Sequence, residues 1–333
     1  MYFDVAMPIT LFTITLVAML LNEKVENKLK KVVEDREFST RSAVLLVAAM
    51  SIIISLVVFI PQKAIMLIFL FAYSMLLFTF TYVFSDFQKR NARLFCAAFL
   101  IVSFLATISI FFNFVENTTI AYGVPAFFGL FCFAFGALLY EERRTSIGER
   151  WYLAVLPPAL FILLYLFFNL TPLWFPYLLN MYGIVFAILI VLYLGSLFSW
   201  KTTLVFIALL TIMDIILVLY TGTMVSAAKH VAGLKLPILI SLPTFPAIVE
   251  EGKLLYMSLG LGDFFFAGLI GIQSLKKFGK SFAIVSLVAT AISFFIFEVL
   301  MLNYGLVALP GTLMIICGWL PLVLLKTLST KMK

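Results

Sequence analysis

Apolar runs of 18 to 25 residues recur along this chain, near 4–21, 43–60, 64–84, 94–114, 119–140, 152–169, 174–198, 203–220, 254–275, 281–300 and 306–325. About 20 predominantly apolar residues cross the hydrocarbon core of a bilayer, and over that length only a helix satisfies its own backbone in lipid. Eleven such runs predict an all-α fold, a polytopic integral membrane helical bundle of about eleven transmembrane helices. Composition agrees: 64% of the 333 residues are hydrophobic, 12% are charged and the mean hydropathy is +1.16, whereas soluble domains are about half apolar and about a quarter charged. The spans consume most of the chain, so a sizeable soluble domain is excluded and the lipid bilayer is its expected surrounding.

The basic residues give an independent test of the span count, because cytoplasmic loops hold the excess of Lys and Arg. Segment 22–42 contains Lys24, Lys28, Lys30, Lys31, Arg36 and Arg41, and the alternate loops that follow contain Lys89, Arg90, Arg93, then Arg143, Arg144, Arg150. Lys201, then Lys276, Lys277 and Lys280, then Lys326, Lys331 and Lys333 fall on the same side, 19 in all against Lys63, Lys229, Lys235 and Lys253 on the other. A single missed span would scramble this alternation. The amino terminus is therefore expected outside and the carboxyl terminus in the cytoplasm. Short loops suggest a prokaryotic cell membrane, and the net charge of +7 reads as membrane topology, with no nucleic-acid partner.

Cys96, Cys132 and Cys317 lie inside apolar runs without metal-type spacing, and they read as small buried hydrophobes. With His230 the single histidine, zinc hydrolases and His-dependent serine or cysteine proteases drop out. No metal and no cofactor is expected.

One connection, 221–253, is too long for a simple turn, and long loops in compact proteins are usually functional or disordered. Within it Leu236-Pro237-Ile238-Leu239-Ile240-Ser241-Leu242-Pro243 is apolar, partly β-branched and bounded by prolines, the pattern of a short edge strand or a re-entrant segment.

An ionisable group at membrane depth survives only with a partner, a water cavity or a task. Asp214, Asp263 and Glu298 are the three such groups; Asp4, Asp86, Glu116, Glu250 and Glu251 lie near span ends. Asp214 falls roughly two turns from the end of its run and Asp263 roughly two to three turns inside the next, at 1.5 Å per residue. The two are expected at similar depth on consecutive helices. Two carboxylates a few Å apart in low dielectric cannot both ionise, so such a pair shares one proton. It can hydrolyse a peptide bond, hold structure through a hydrogen bond, or bind an ion. In Gly260-Leu261-Gly262-Asp263 the two glycines remove side chains beside the acid, so that another backbone can approach.

These residues resemble the GxGD intramembrane aspartyl proteases, the presenilin and signal peptide peptidase family, and particularly its prokaryotic homologues. The resemblance runs through Asp214, Lys235-Leu236-Pro237-Ile238, Gly260-Leu261-Gly262-Asp263 and Val307-Ala308-Leu309-Pro310, and covers about residues 203–325. Met213 stands where the family has Tyr before its first aspartate, and Val307 where it has Pro before Ala-Leu. The resemblance implies that Asp214 and Asp263 are the catalytic pair of an aspartic endopeptidase. It further implies that Gly260, Leu261, Gly262, Leu236, Pro237, Ile238, Val307, Ala308 and Leu309 meet the substrate, a transmembrane peptide or protein, or a signal-peptide remnant, that enters from lipid and unwinds. The strand-like run is then expected to hold the unwound substrate by β-augmentation. On this division 201–333 is the catalytic portion and 1–200 an amino-terminal bundle of about seven helices. The oligomeric state is not legible. The alternative is a proton- or cation-coupled transporter or channel using Asp214, Asp263 and Glu298.

Overall fold

The computed structural model describes residues 2–32, 38–84, 89–111, 118–140, 151–250, 252–306 and 308–331. It is an all-α, multi-pass membrane bundle with almost no sheet. Ten described helices are long and apolar enough to cross a membrane. In chain order they correspond to α1 (Ala6–Val32), α2 (Thr40–Leu56), α3 (Gln62–Phe84), α4 (Lys89–Phe111), α5 (Thr118–Tyr140), α6 (Trp151–Phe168), α7 (Leu179–Gly195), α8 (Trp200–Ile215), α11 (Lys280–Tyr304) and α12 (Gly311–Lys331), with α2, α7 and α8 reaching span length through the adjoining helical turns Val57–Phe59, Leu173–Leu178 and Ile216–Tyr220. Between α8 and α11 lie α9 (Thr223–Ala232), β1 (Leu239–Pro243), β2 (Val249–Glu250), β3 (Lys253–Leu254), β4 (Tyr256–Gly260) and α10 (Leu261–Phe278).

The ninth expected span differs from a plain helix. Its first third, 256–260, is the strand β4, paired antiparallel with β1 in the register Leu239↔Gly260 to Pro243↔Tyr256. Gly260 and Gly262 disfavour helix here, and β1 offers the hydrogen bonds that a helix would otherwise supply. The helix α10 starts only at Leu261, so Asp263 occupies its first turn, not a position two to three turns deep. With Asp263, Lys276 and Lys277 in 18 residues, α10 is too charged to stand alone against lipid, and it is enclosed: twelve of the eighteen residues are buried.

The backbone forms two compact units. One comprises 1–66 with 179–333, the other 67–178. In the second unit α4, α5 and α6 pack around Cys96, Ala134, Leu138 and Leu153, and the Arg93 guanidinium donates to the Leu138 carbonyl near the end of α5.

In the first unit α1 and α7 join the carboxyl-terminal helices. A Cβ on Gly268 would stand 2.5 Å from Val191 of α7, and one on Gly271 2.9 Å from Leu287 of α11. Small residues let helices close in where lipid supplies no hydrophobic drive. Glu26 near the end of α1 pairs with Lys276 of α10 at 2.8 Å. At the other end the Asp4 carboxylate caps α1 through the Ala6 and Met7 amides and accepts the Phe245 N–H at 2.7 Å. Asn303 there exchanges hydrogen bonds with the Tyr2 backbone. The Glu26–Lys276 pair and the Asp4 cap thus lie at opposite ends of α1. His230 hydrogen-bonds the Ile60 carbonyl and serves to dock α9.

Candidate active site: two acids at the tip of the last helix

Asp214 is 7% exposed and sits on the last α-helical turn of α8, just before a π-helical stretch over Ile216–Tyr220. Asp263 is the third residue of α10, whose amino-terminal cap is Gly260, and its carboxylate lies beside that glycine, since a Cβ on Gly260 would stand 3.2 Å from Asp263 Oδ2. The first turn of a helix is a favourable place for an acid. Asp214 from α8 and Asp263 from α10 adjoin consecutive residues of α12, Thr312 and Gly311, which brings the two acids into one neighbourhood.

The first two residues of α12 complete the arrangement. Thr312 gives Asp214 Oδ2 both its amide N–H, at 3.2 Å, and its hydroxyl, at 2.6 Å. Gly311 lies against the other acid: a Cβ there would stand 2.6 Å from Asp263 Cγ, inside van der Waals contact. Pro310, which has no N–H to lose, precedes them and starts the helix, with its carbonyl accepting from Met314. A helix amino terminus is a favourable place for negative charge, and this one touches both carboxylates through neighbouring residues.

Among the expected site residues, Gly260 is hemmed in, since a Cβ would come 3.2 Å from Asp263 Oδ2, whereas a Cβ on Gly262 would meet nothing within 4 Å. The room beside the acid is therefore made by Gly260 and Gly311. Leu261 is buried, and its amide donates to the Ile238 carbonyl. Ala308 and Leu309 are half-buried just ahead of Gly311; Val307 lies outside the described residues. Leu236 and Pro237 are buried and belong, with Ile238, to the turn before β1, so the strand begins at Leu239, later than the prolines suggest. A γ-like bond from Ile238 N–H to the Leu236 carbonyl closes that turn.

The hairpin has two edges, and they differ. Bonds from Thr244 N–H to the Leu255 carbonyl and from Leu261 N–H to the Ile238 carbonyl bracket the register. With period two, the even-numbered residues of β1 face β4, and Tyr256, Ser258 and Gly260 turn their backbone groups away from β1. The outer edge of β1 is occupied, because the Asn180 side chain of α7 donates to the Ser241 carbonyl at 2.6 Å and accepts its N–H at 2.8 Å. On β4, Ser258 is exposed, and the strand leads straight into Gly260 and Asp263. The edge expected on 236–242 is thus the covered one.

Glu298 stands apart from the pair. It is fully buried, and its carboxylate oxygens have no hydrogen-bond partner among the described residues. No group of three or more potential metal ligands occurs among the described residues.

Sequence reasoning missed Gly311, Thr312 and Asn180. Gly-Thr directly after a proline at a span start was a usable signal; Asn180 offered none beyond being an amide inside a span.

Neither a protein-family model nor a curated protein matches the chain.

Proposed function

We propose that this chain is an intramembrane aspartyl protease of the GxGD kind, which hydrolyses peptide bonds of transmembrane segments or signal-peptide remnants through Asp214 and Asp263. The observation that carries the reading is the meeting of these two acids at the amino terminus of α12, with Gly311 packed on one and Thr312 bonded to the other.

In this reading the pair holds one proton. The ionised carboxylate takes a proton from water as the water oxygen attacks the peptide carbonyl, while the protonated partner donates its hydrogen bond to the carbonyl oxygen. The tetrahedral species then collapses. Its C–N bond breaks, the nitrogen receives a proton, and a carboxyl and an amino terminus leave. A helical peptide bond is shielded, so the substrate must be extended before attack. Extension costs backbone hydrogen bonds, and pairing along the β4 edge near Ser258 would restore them one strand away from Asp263.

The charge bias supports an external amino terminus, a cytoplasmic tail and entry to the pair from the outer half of the membrane, and the short loops suggest a prokaryotic cell membrane. Against the transporter alternative, the Glu298 carboxylate has no hydrogen bond to Asp214, Asp263 or any other described residue, which weighs against the three acids acting as one ion site.

The test is cleavage of a model transmembrane peptide by purified protein, compared with Asp263→Asn. New termini from the wild type and none from the variant are expected; an inert wild type, or an active variant, would reject the proposal.

A further inference from the structure

We infer that Asn180 fixes the phase of the β1–β4 pair, and with it the register in which an extended substrate meets Asp263; the inference rests on the proteolytic reading above. Asn180 is 7% exposed, and one side chain satisfies both backbone groups of Ser241. An amide bonded in this way imitates a neighbouring strand for a single residue. It closes the β1 edge and requires Ser241 to face outward.

That requirement propagates through the register. With Ser241 outward, Ile240 and Leu242 face β4, and the opposing residues Leu259 and Met257 face back. Gly260 then turns its backbone outward and sits against the Asp263 carboxylate, since a Cβ on it would lie 3.2 Å from Oδ2. A slip of one residue reverses every assignment in a strand pair. Gly260 would turn toward β1, Met257 and Leu259 would form the outer edge, and a segment pairing there would lie one residue out of step with the acid. Two further contacts hold the arrangement: Ser241 and Ser258 share a hydroxyl hydrogen bond of 2.7 Å across the pair. Gly183, one turn after Asn180, lets α7 close on β1, since a Cβ there would lie 3.0 Å from Ile240 Cγ1.

The role is one of positioning, so rate alone does not test it. The full-length protein is incubated with a model transmembrane peptide, and product masses give the bond cut. Asn180→Ala is expected to lower turnover on the order of tenfold, since small misplacements of a reacting group cost this much or more, and to add products displaced along the peptide. Asn180→Asp keeps an acceptor for the Ser241 N–H but loses the donor to its carbonyl, and should fall between. If Asn180→Ala does not yield folded protein, Gly183→Ala presses a methyl on Ile240 and should displace the cut as well. Variants that cut the same bond as the wild type, in the same proportion, overturn the inference while leaving the protease intact; a wild type that cuts nothing overturns both.

Discussion

Asp214 and Thr312 meet through one oxygen: Oδ2 of the acid accepts the Thr312 hydroxyl and the Thr312 amide together. The residues are 98 positions apart, and the contact joins α8 to the first turn of α12. Two donors on one oxygen fix that oxygen and favour negative charge on it.

Replacing the hydroxyl separates its contribution from that of the amide. Thr312→Val keeps the size and the backbone bond but removes the shorter contact, worth about 1.5–3 kcal/mol for a hydrogen bond to a charged group. Turnover of a transmembrane peptide should drop at least about tenfold, and Thr312→Ser should restore most of it. Equal rates for Val and Thr would remove the hydroxyl from the mechanism.

Gly311 and Gly262 should behave oppositely. A methyl at 311 collides with Asp263, whereas one at 262 enters open space. Initial rates should therefore fall at least about a hundredfold in Gly311→Ala, with Gly262→Ala much closer to wild type. Thermal melting of both variants shows whether the loss is local.

A pair that works with one proton fails in two ways. Below the first macroscopic pKa both acids are protonated and no base remains; above the second both are ionised and no acid remains. The rate should follow a bell-shaped curve with pH, and Asp263→Asn should remove it entirely. A single-limbed profile in the wild type would contradict proton sharing.

Glu298 supplies a prediction about stability. Its buried carboxyl has no hydrogen-bond partner among the described residues, so Glu298→Met, which removes the unpaired polar group at similar size, should raise the melting temperature. Asp4→Ala should lower it, since the Asp4 carboxylate caps α1 and holds the Phe245 amide; the cap alone is worth about 1 kcal/mol. Melting curves of the two variants in the same detergent decide both signs.

Sidedness can be read directly. A reporter fused after Lys333 should be cytoplasmic, and substrate spans with their amino terminus inside should be cut faster than spans of opposite direction, because an antiparallel docking edge accepts one chain direction. A reporter found outside, or the reverse preference, would invert the assignment.

Much of this arrangement was legible because charges are rare at membrane depth. Asp214 and Asp263 stand out among leucines, and the fold class follows from the apolar runs alone. The strand β4 was hidden for a physical reason: hydropathy is the same for an apolar helix and an apolar strand, and only Gly260 and Gly262 hinted at the change. Thr312 and Asn180 were hidden differently. Hydroxyls and amides are common within spans, where most bond their own helix, as Thr10, Thr15 and Ser51 do here. What sets the two apart is a partner 98 or 61 positions away, and single-chain periodicity carries no trace of such a distance.

The crossing of α12 over α11 is tight enough that a Cβ on Gly318 would overlap the Ala289 carbonyl, and close by Ser293 hydrogen-bonds the Met314 carbonyl. The crossing lies seven residues, about 10 Å, below Gly311. Mechanically α12 is a lever with its fulcrum there and both acids at its working tip. A tilt about that fulcrum carries Gly311 and Thr312 sideways as one body, so Asp214 and Asp263 are disturbed together or not at all, and the orientation of a single helix becomes the dial on which the chemistry of two others is set.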